Sequence, residues 1–90
     1  MPEPRSRAVA GAVRPGRVMV CGGRSEREKY SSSCSQLDLG SGQWEAGQRM
    51  RRGREDAAAV VLEGEMLVVT GGWDGYQLLD SVEVSLLHDS

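Results

Sequence analysis

Short apolar runs broken by glycine and by polar turns fill this chain, and the stretch over residues 81–86 alternates with a period of two. Residues 57–62 pass from alanine into valine and leucine. Glu63-Gly64-Glu65 follows, and then Met66-Leu67-Val68-Val69-Thr70. Two such runs about a glycine-containing three-residue turn predict a β-hairpin. Gly71-Gly72 closes its second strand, and a polar stretch covers residues 73–80. Beyond it Val82, Val84 and Leu86 alternate with Ser81, Glu83 and Ser85, the pattern of a strand with one buried face. The N-terminal half predicts the same series. Strands are expected over residues 8–13 and 17–21 about Arg14-Pro15-Gly16, over 33–39, and, after Gly40-Ser41-Gly42, over 43–48 around Trp44. The alanines of residues 57–59 favour helix by propensity, but Gly64 and the β-branched run before it argue against one. The predicted class is all-β.

The two halves are copies of one unit. Val18-Met19-Val20-Cys21-Gly22-Gly23 recurs 49 residues later as Leu67-Val68-Val69-Thr70-Gly71-Gly72. Outside these strings Met1 aligns with Met50, Arg5 with Arg54, Ala8 with Ala57 and Ala10 with Ala59. In the third strand the offset falls to 48 residues, because the preceding loop is one residue longer in the first half. A fixed period of this length marks a repeat architecture, in which each unit needs a neighbour to cover its apolar face. Four strands per period is the make-up of a propeller blade. The chain therefore divides into a first repeat, residues 1–49, and a second, residues 50–90, that lacks its fourth strand. Seven antiparallel strands in two adjacent sheets are expected.

Composition narrows the picture. Apolar residues make up 39% and charged residues 27% of 90 residues, and Trp44, Trp73, Tyr30 and Tyr76 are the only aromatics, so any core is thin. The net charge of −2 conceals an asymmetry. The first repeat carries eight Arg/Lys against five Asp/Glu, and the second carries three against eight. No apolar run approaches the roughly 20 residues that span a bilayer, and the N-terminal run over residues 8–13 is too short for a signal peptide. The expected setting is cytoplasmic, with the nucleus as a second possibility. Cys21 and Cys34, which hold the places of Thr70 and Val82 in the other repeat, are then expected to be reduced. Two cysteines and His88 at unrelated spacings give no metal pattern, and no cofactor is indicated.

The succession of apolar run, double glycine, alternating strand, Asp38, Trp44 six residues on, Met50 and Arg54 resembles the Kelch repeat. The resemblance covers nearly the whole chain and departs from the family at Leu37, where a tyrosine is common. It implies blades of a β-propeller, with Trp44 packed between blades, Gly22, Gly23, Gly71 and Gly72 in structural roles, and loops that bind other proteins. Propellers have roughly four to eight blades, more than this chain encodes. The expectation is a fragment of a longer adaptor-type protein, engaged in substrate recruitment or cytoskeletal scaffolding, or self-association with further copies. The alternative is a piece of a Kelch-type propeller enzyme, an oxidase or sugar-mutarotase-like protein.

Antiparallel strands bring alternate connections to one end. There fall Arg24, Arg27 and Lys29 from the loop after the first double glycine, and Arg49, Arg51, Arg52 and Arg54 from the link between repeats. Trp73, Asp74, Tyr76 and Gln77 come from the loop after the second double glycine. Arg5 and Arg7 join them from the N-terminal side. Arginine grips carboxylates and phosphates bidentately, and Arg, Trp and Tyr are favoured interface anchors. Arg24, Arg27, Arg51, Arg52, Arg54, Trp73 and Tyr76 are the expected contacts for a protein partner presenting an acidic or phosphorylated peptide. The opposing reading is that Glu26, Glu28, Glu55 and Asp56 neutralise the cluster. Catalysis is not expected: the serines at 31–33 and 35 have no nearby histidine base, and the glycines near residue 22 lack the Gly-Lys-Ser/Thr of a phosphate loop. A negative overall charge without a recognition motif argues against nucleic acid. Tyr30 reads as isolated.

Overall fold

A computed structural model describes residues 5–14, 16–26 and 28–86. Among the described residues seven antiparallel strands form two sheets. The first contains β1 (Val9–Ala12), β2 (Arg17–Cys21), β3 (Cys34–Asp38) and β4 (Gln43–Ala46), in that order. The second contains β5 (Ala58–Leu62), β6 (Met66–Thr70) and β7 (Val82–Leu86). The predicted strands and their pairing are observed, and residues 57–67 form a hairpin, not a helix. His88 lies outside the described residues.

The repeat extends to unusual backbone. Arg7 and Asp56, 49 residues apart, adopt φ of 58° and 56°, and Arg14 and Glu63 adopt 83° and 54°. Both double glycines are left-handed, at 72° and 86° for Gly22 and Gly23, and 73° and 94° for Gly71 and Gly72. At Gly23 and Gly72 side chains are excluded for a second reason. A Cβ on Gly23 would lie 2.5 Å from the Ser6 carbonyl oxygen, and one on Gly72 would lie 2.8 Å from that of Glu55.

Residues directly opposite in a ladder share a face, so register assigns each sheet two faces. In the first sheet Val9, Gly11, Met19, Cys21, Cys34 and Gln36 share the face turned to the second sheet. The second sheet answers with Ala59, Val61, Leu67, Val69 and Ser85. Met19, Cys21, Cys34, Leu67 and Val69 make most of the core, joined by Val13 and Met50. The approach is closest at Gly11, where a Cβ would stand 2.7 Å from Val61 Cγ2 and 2.8 Å from Leu67 Cδ1.

Two expectations are corrected. Cys21 and Cys34 are joined in a disulfide. They are direct cross-strand partners, and the flanking Gly22 N–H donates to the Ser33 carbonyl oxygen. The cysteines thus occupy a close, non-hydrogen-bonded site with Cα atoms 4.1 Å apart. Trp44 does not lie between two sheets. It sits half-buried on the outer face of the first, in line with Val18 and Leu37.

Candidate protein-binding site

Three connections converge at one end: the β2–β3 loop, the β4–β5 link and the β6–β7 loop. Backbone hydrogen bonds tie them together. Gly23 N–H donates to the Arg54 carbonyl oxygen, Met50 and Arg54 N–H donate to Ser32 and Ser31, and Glu55 and Trp73 exchange two bonds of 3.0 and 3.1 Å. The Ser6–Arg24 pair repeats the Glu55–Trp73 pair one period earlier.

Arg54 is the centre of this junction, and it corrects the sequence reading. It is 1% exposed and belongs to the fold. Nη1 donates to the carbonyl oxygens of Gly71 (3.0 Å) and Ser81 (2.9 Å), and Nη2 to Ser81 Oγ (2.9 Å) and Glu83 Oε2 (2.8 Å). Because its own carbonyl accepts from Gly23, one residue links the double glycines of both sheets. Arg5 does the same one period earlier, donating to Gly22 and Ser33 carbonyl oxygens and to Ser35 Oγ. Its sheet offers Ser35 where the second has Glu83. The signal available in the sequence was the recurrence of arginine at one place in both repeats.

Glu83 is held below the ordinary glutamate range. Burial pushes its pKa up, but the Arg51 N–H, the Arg54 guanidinium and the Arg52 N–H together outweigh that and bring it down. Asp74 is lowered too, by the backbone N–H of Gln77 first, then that of Tyr76, with the Arg52 charge adding to them. Its Oδ1 accepts from Tyr76 N–H at 2.9 Å and Gln77 N–H at 3.0 Å, which shapes the β6–β7 loop. Ser25, its counterpart 49 residues earlier, accepts from Glu28 N–H at 3.1 Å.

The remaining expected residues divide. Arg24 is half-buried, 3.5 Å from Glu55 Oε2 and with its guanidinium 5.7 Å from the Tyr30 ring centroid. Arg7 approaches both Glu55 and Asp56, and Arg49 pairs with Glu28, so acidic neighbours do offset part of the cluster. Arg27 lies outside the described residues. Trp73 is half-buried, its backbone stitching the loops together. Arg51 is exposed, and Arg52, half-exposed, reaches Asp74 Oδ2 at 3.0 Å. Tyr76 is 91% exposed.

Sequence reasoning left Tyr30 unassigned. It stands between the loops, its ring against Gly75 and its carbonyl against Gly53. Tyr30, Arg52, Gly53, Asp74 and Tyr76 line an open groove of about 350 Å³. Nothing near Tyr30 in the sequence signals this, since its neighbours there are 45 residues further along the chain or more than 20. Among the described residues no group of three or more His, Cys, Asp or Glu is placed to hold a metal ion.

Two stacked antiparallel sheets built on one period, each plugged by an arginine at its double glycine, are the blades of a partial β-propeller. The Kelch motif matches residues 4–51, more than half of the chain, which belongs to the Kelch family. Kelch repeats generally mediate protein–protein interactions. A comparison with curated proteins returns no match.

Proposed function

We propose that the chain is a non-catalytic protein-interaction module of the adaptor type, working in substrate recruitment or scaffolding. Its groove at the loop end takes an acidic or phosphorylated peptide segment. The observation that carries this reading is the groove itself: an exposed tyrosine on its rim, a second tyrosine opposite, and Arg52 in its lining, with Arg51 next to it in the chain. A ligand carboxylate or phosphate would compete with Asp74 for the Arg52 fork, while Tyr76 supplies rigid contact area. Arg24 and Trp73 act behind the groove, through Tyr30 and the loop backbone. A cytoplasmic or nuclear setting belongs to the same reading.

Fluorescence polarisation against matched acidic, phosphoserine and neutral peptide pools tests it. The parent should hold the acidic and phosphorylated pools over the neutral one, more weakly as salt rises. Reversal of Arg51 and Arg52 to Glu should cut the affinity at least ~10-fold, which is about 1.4 kcal/mol. Ser41→Glu, at the opposite end, should leave it unchanged. Equal affinity for all pools, or equal loss in both variants, would refute this assignment.

A further inference from the structure

Among the described residues each sheet has one covered face and one free face, and the two free faces are period equivalents of the two covered ones. The second sheet's free face carries Val60, Val68, Thr70, Val82 and Val84, at the places of Gly11, Met19, Cys21, Cys34 and Gln36. In the first sheet those places are covered by its neighbour; here Val60 is 55% and Val84 49% exposed. The first sheet's free face carries Ala10, Ala12, Val18, Val20 and Leu37, at the places of Ala59, Val61, Leu67, Val69 and Ser85. One chain thus holds both halves of an interface that it has already formed once within itself.

We propose that the free face of the second sheet docks the free face of the first sheet of another copy, so that copies associate head to tail by the packing seen inside one chain. Volume supports the match. At the internal contact Gly11, Val61 and Leu67 bring none, three and four side-chain carbons, and at the equivalent contact Val60, Ala12 and Val18 bring three, one and three, the same total. The large residue has changed sides and the space it needs has changed with it, which close-packed interfaces require. Gln36 and Ser85, the buried polar members of the internal contact, give way to Val84 and Leu37, so the second contact is the more apolar.

Charge agrees. The contact sets an acidic second repeat against a basic first repeat. It brings the β5–β6 turn, with Glu63 and Glu65, towards the β1–β2 turn, with Arg14. Within the chain Arg14 already meets Glu65 at 2.6 Å. A heterologous contact of this kind either closes into a ring or runs on as a filament. It also keeps every loop end on one side, so the groove would be repeated around the assembly. This proposal does not rest on the peptide-binding reading.

The test uses two exposed pairs in the 90-residue chain: Val60→Glu with Val84→Glu, and Ala10→Glu with Ala12→Glu. Light scattering and native mass spectrometry at sub-millimolar concentration should give the parent as multiples of 9.7 kDa. Each variant alone should be a single chain, and an equimolar mixture should give a one-to-one pair, since one good contact remains. Far-UV dichroism matching the parent and a cooperative thermal transition certify the folds, the midpoint itself falling as association is lost; serine at the same four positions replaces glutamate where either is missing. A monomeric parent, a variant that keeps the parent's mass, or a mixture of folded variants that stays monomeric overturns the proposal. The second of these outcomes would indicate face-to-same-face pairing.

Discussion

The two sheets share strand order, register, positive-φ sites and an arginine plug, yet their equivalent residues meet different fates. Met19 and Cys21 are fully buried, whereas Val68 and Thr70, at the same places, are half-buried and exposed. Arg54 is enclosed between sheets, and Arg5, with the same backbone partners, lies on a free face. Burial here is set by the neighbour and not by residue type. The repeat fixes what each sheet can offer, and stacking decides which offers are taken up.

The plugs give the sharpest way to break the comparison. Arg54→Ala leaves the Glu83 carboxylate and the Gly71 and Ser81 carbonyls without their donor, and should cost about 3–5 kcal/mol in urea denaturation. Such a loss unfolds a domain of this size. Lysine should not rescue it, because a point charge cannot reproduce the fork. Arg5→Ala, on the free face, should cost clearly less. Equal losses at the two positions would mean that stacking does not distinguish the plugs.

A smaller difference is expected in the middle of the strands. Gly11→Val drives a side chain into Val61 and Leu67 and should cost about 1–3 kcal/mol. Val60→Gly, at the same place in the second sheet, should cost only about 0.5–1 kcal/mol, the backbone penalty of glycine. Thermal melts of the pair decide it, and a reversed order would contradict the assigned faces.

The smallest expected effect is a pH dependence confined to one plug. Glu83 has a lowered pKa in the folded chain, so its contribution is fully present above the ordinary glutamate pKa. It is lost as the pH falls through the lowered folded value. Glu83→Gln should flatten the acid limb of stability against pH, and Ser35→Ala, at the equivalent place, should leave its shape intact.

Much of this was legible. The period, the strands to within two residues and the convergence of three loops followed from alternation and the double glycines, because short turns such as Glu63-Gly64-Glu65 fix strand register locally. The facing of Cys21 and Cys34 was not legible, because a loop of residues 22–33 leaves the β2–β3 register open. Trp44 was assigned to an interface that requires a neighbour on its side. Arg54 was grouped with exposed arginines, since a buried guanidinium announces itself only through the carbonyls that receive it. Tyr30 entered the site through tertiary contact with Gly53 and Gly75.

The Cys21–Cys34 bond has a consequence for the groove beyond its place in the core. With a sequence separation of 13, it makes the whole β2–β3 loop a closed covalent ring. Restricting the unfolded chain over such a length contributes about 3 kcal/mol in the loop-entropy account. The wall that bears Tyr30 is therefore moored by a covalent tether. The opposite wall, which bears Tyr76, hangs on the hydrogen bonds of Asp74 and the pairing of Glu55 with Trp73. Of the two banks of the groove, the one with Tyr76 is therefore the less firmly tied to the rest of the chain.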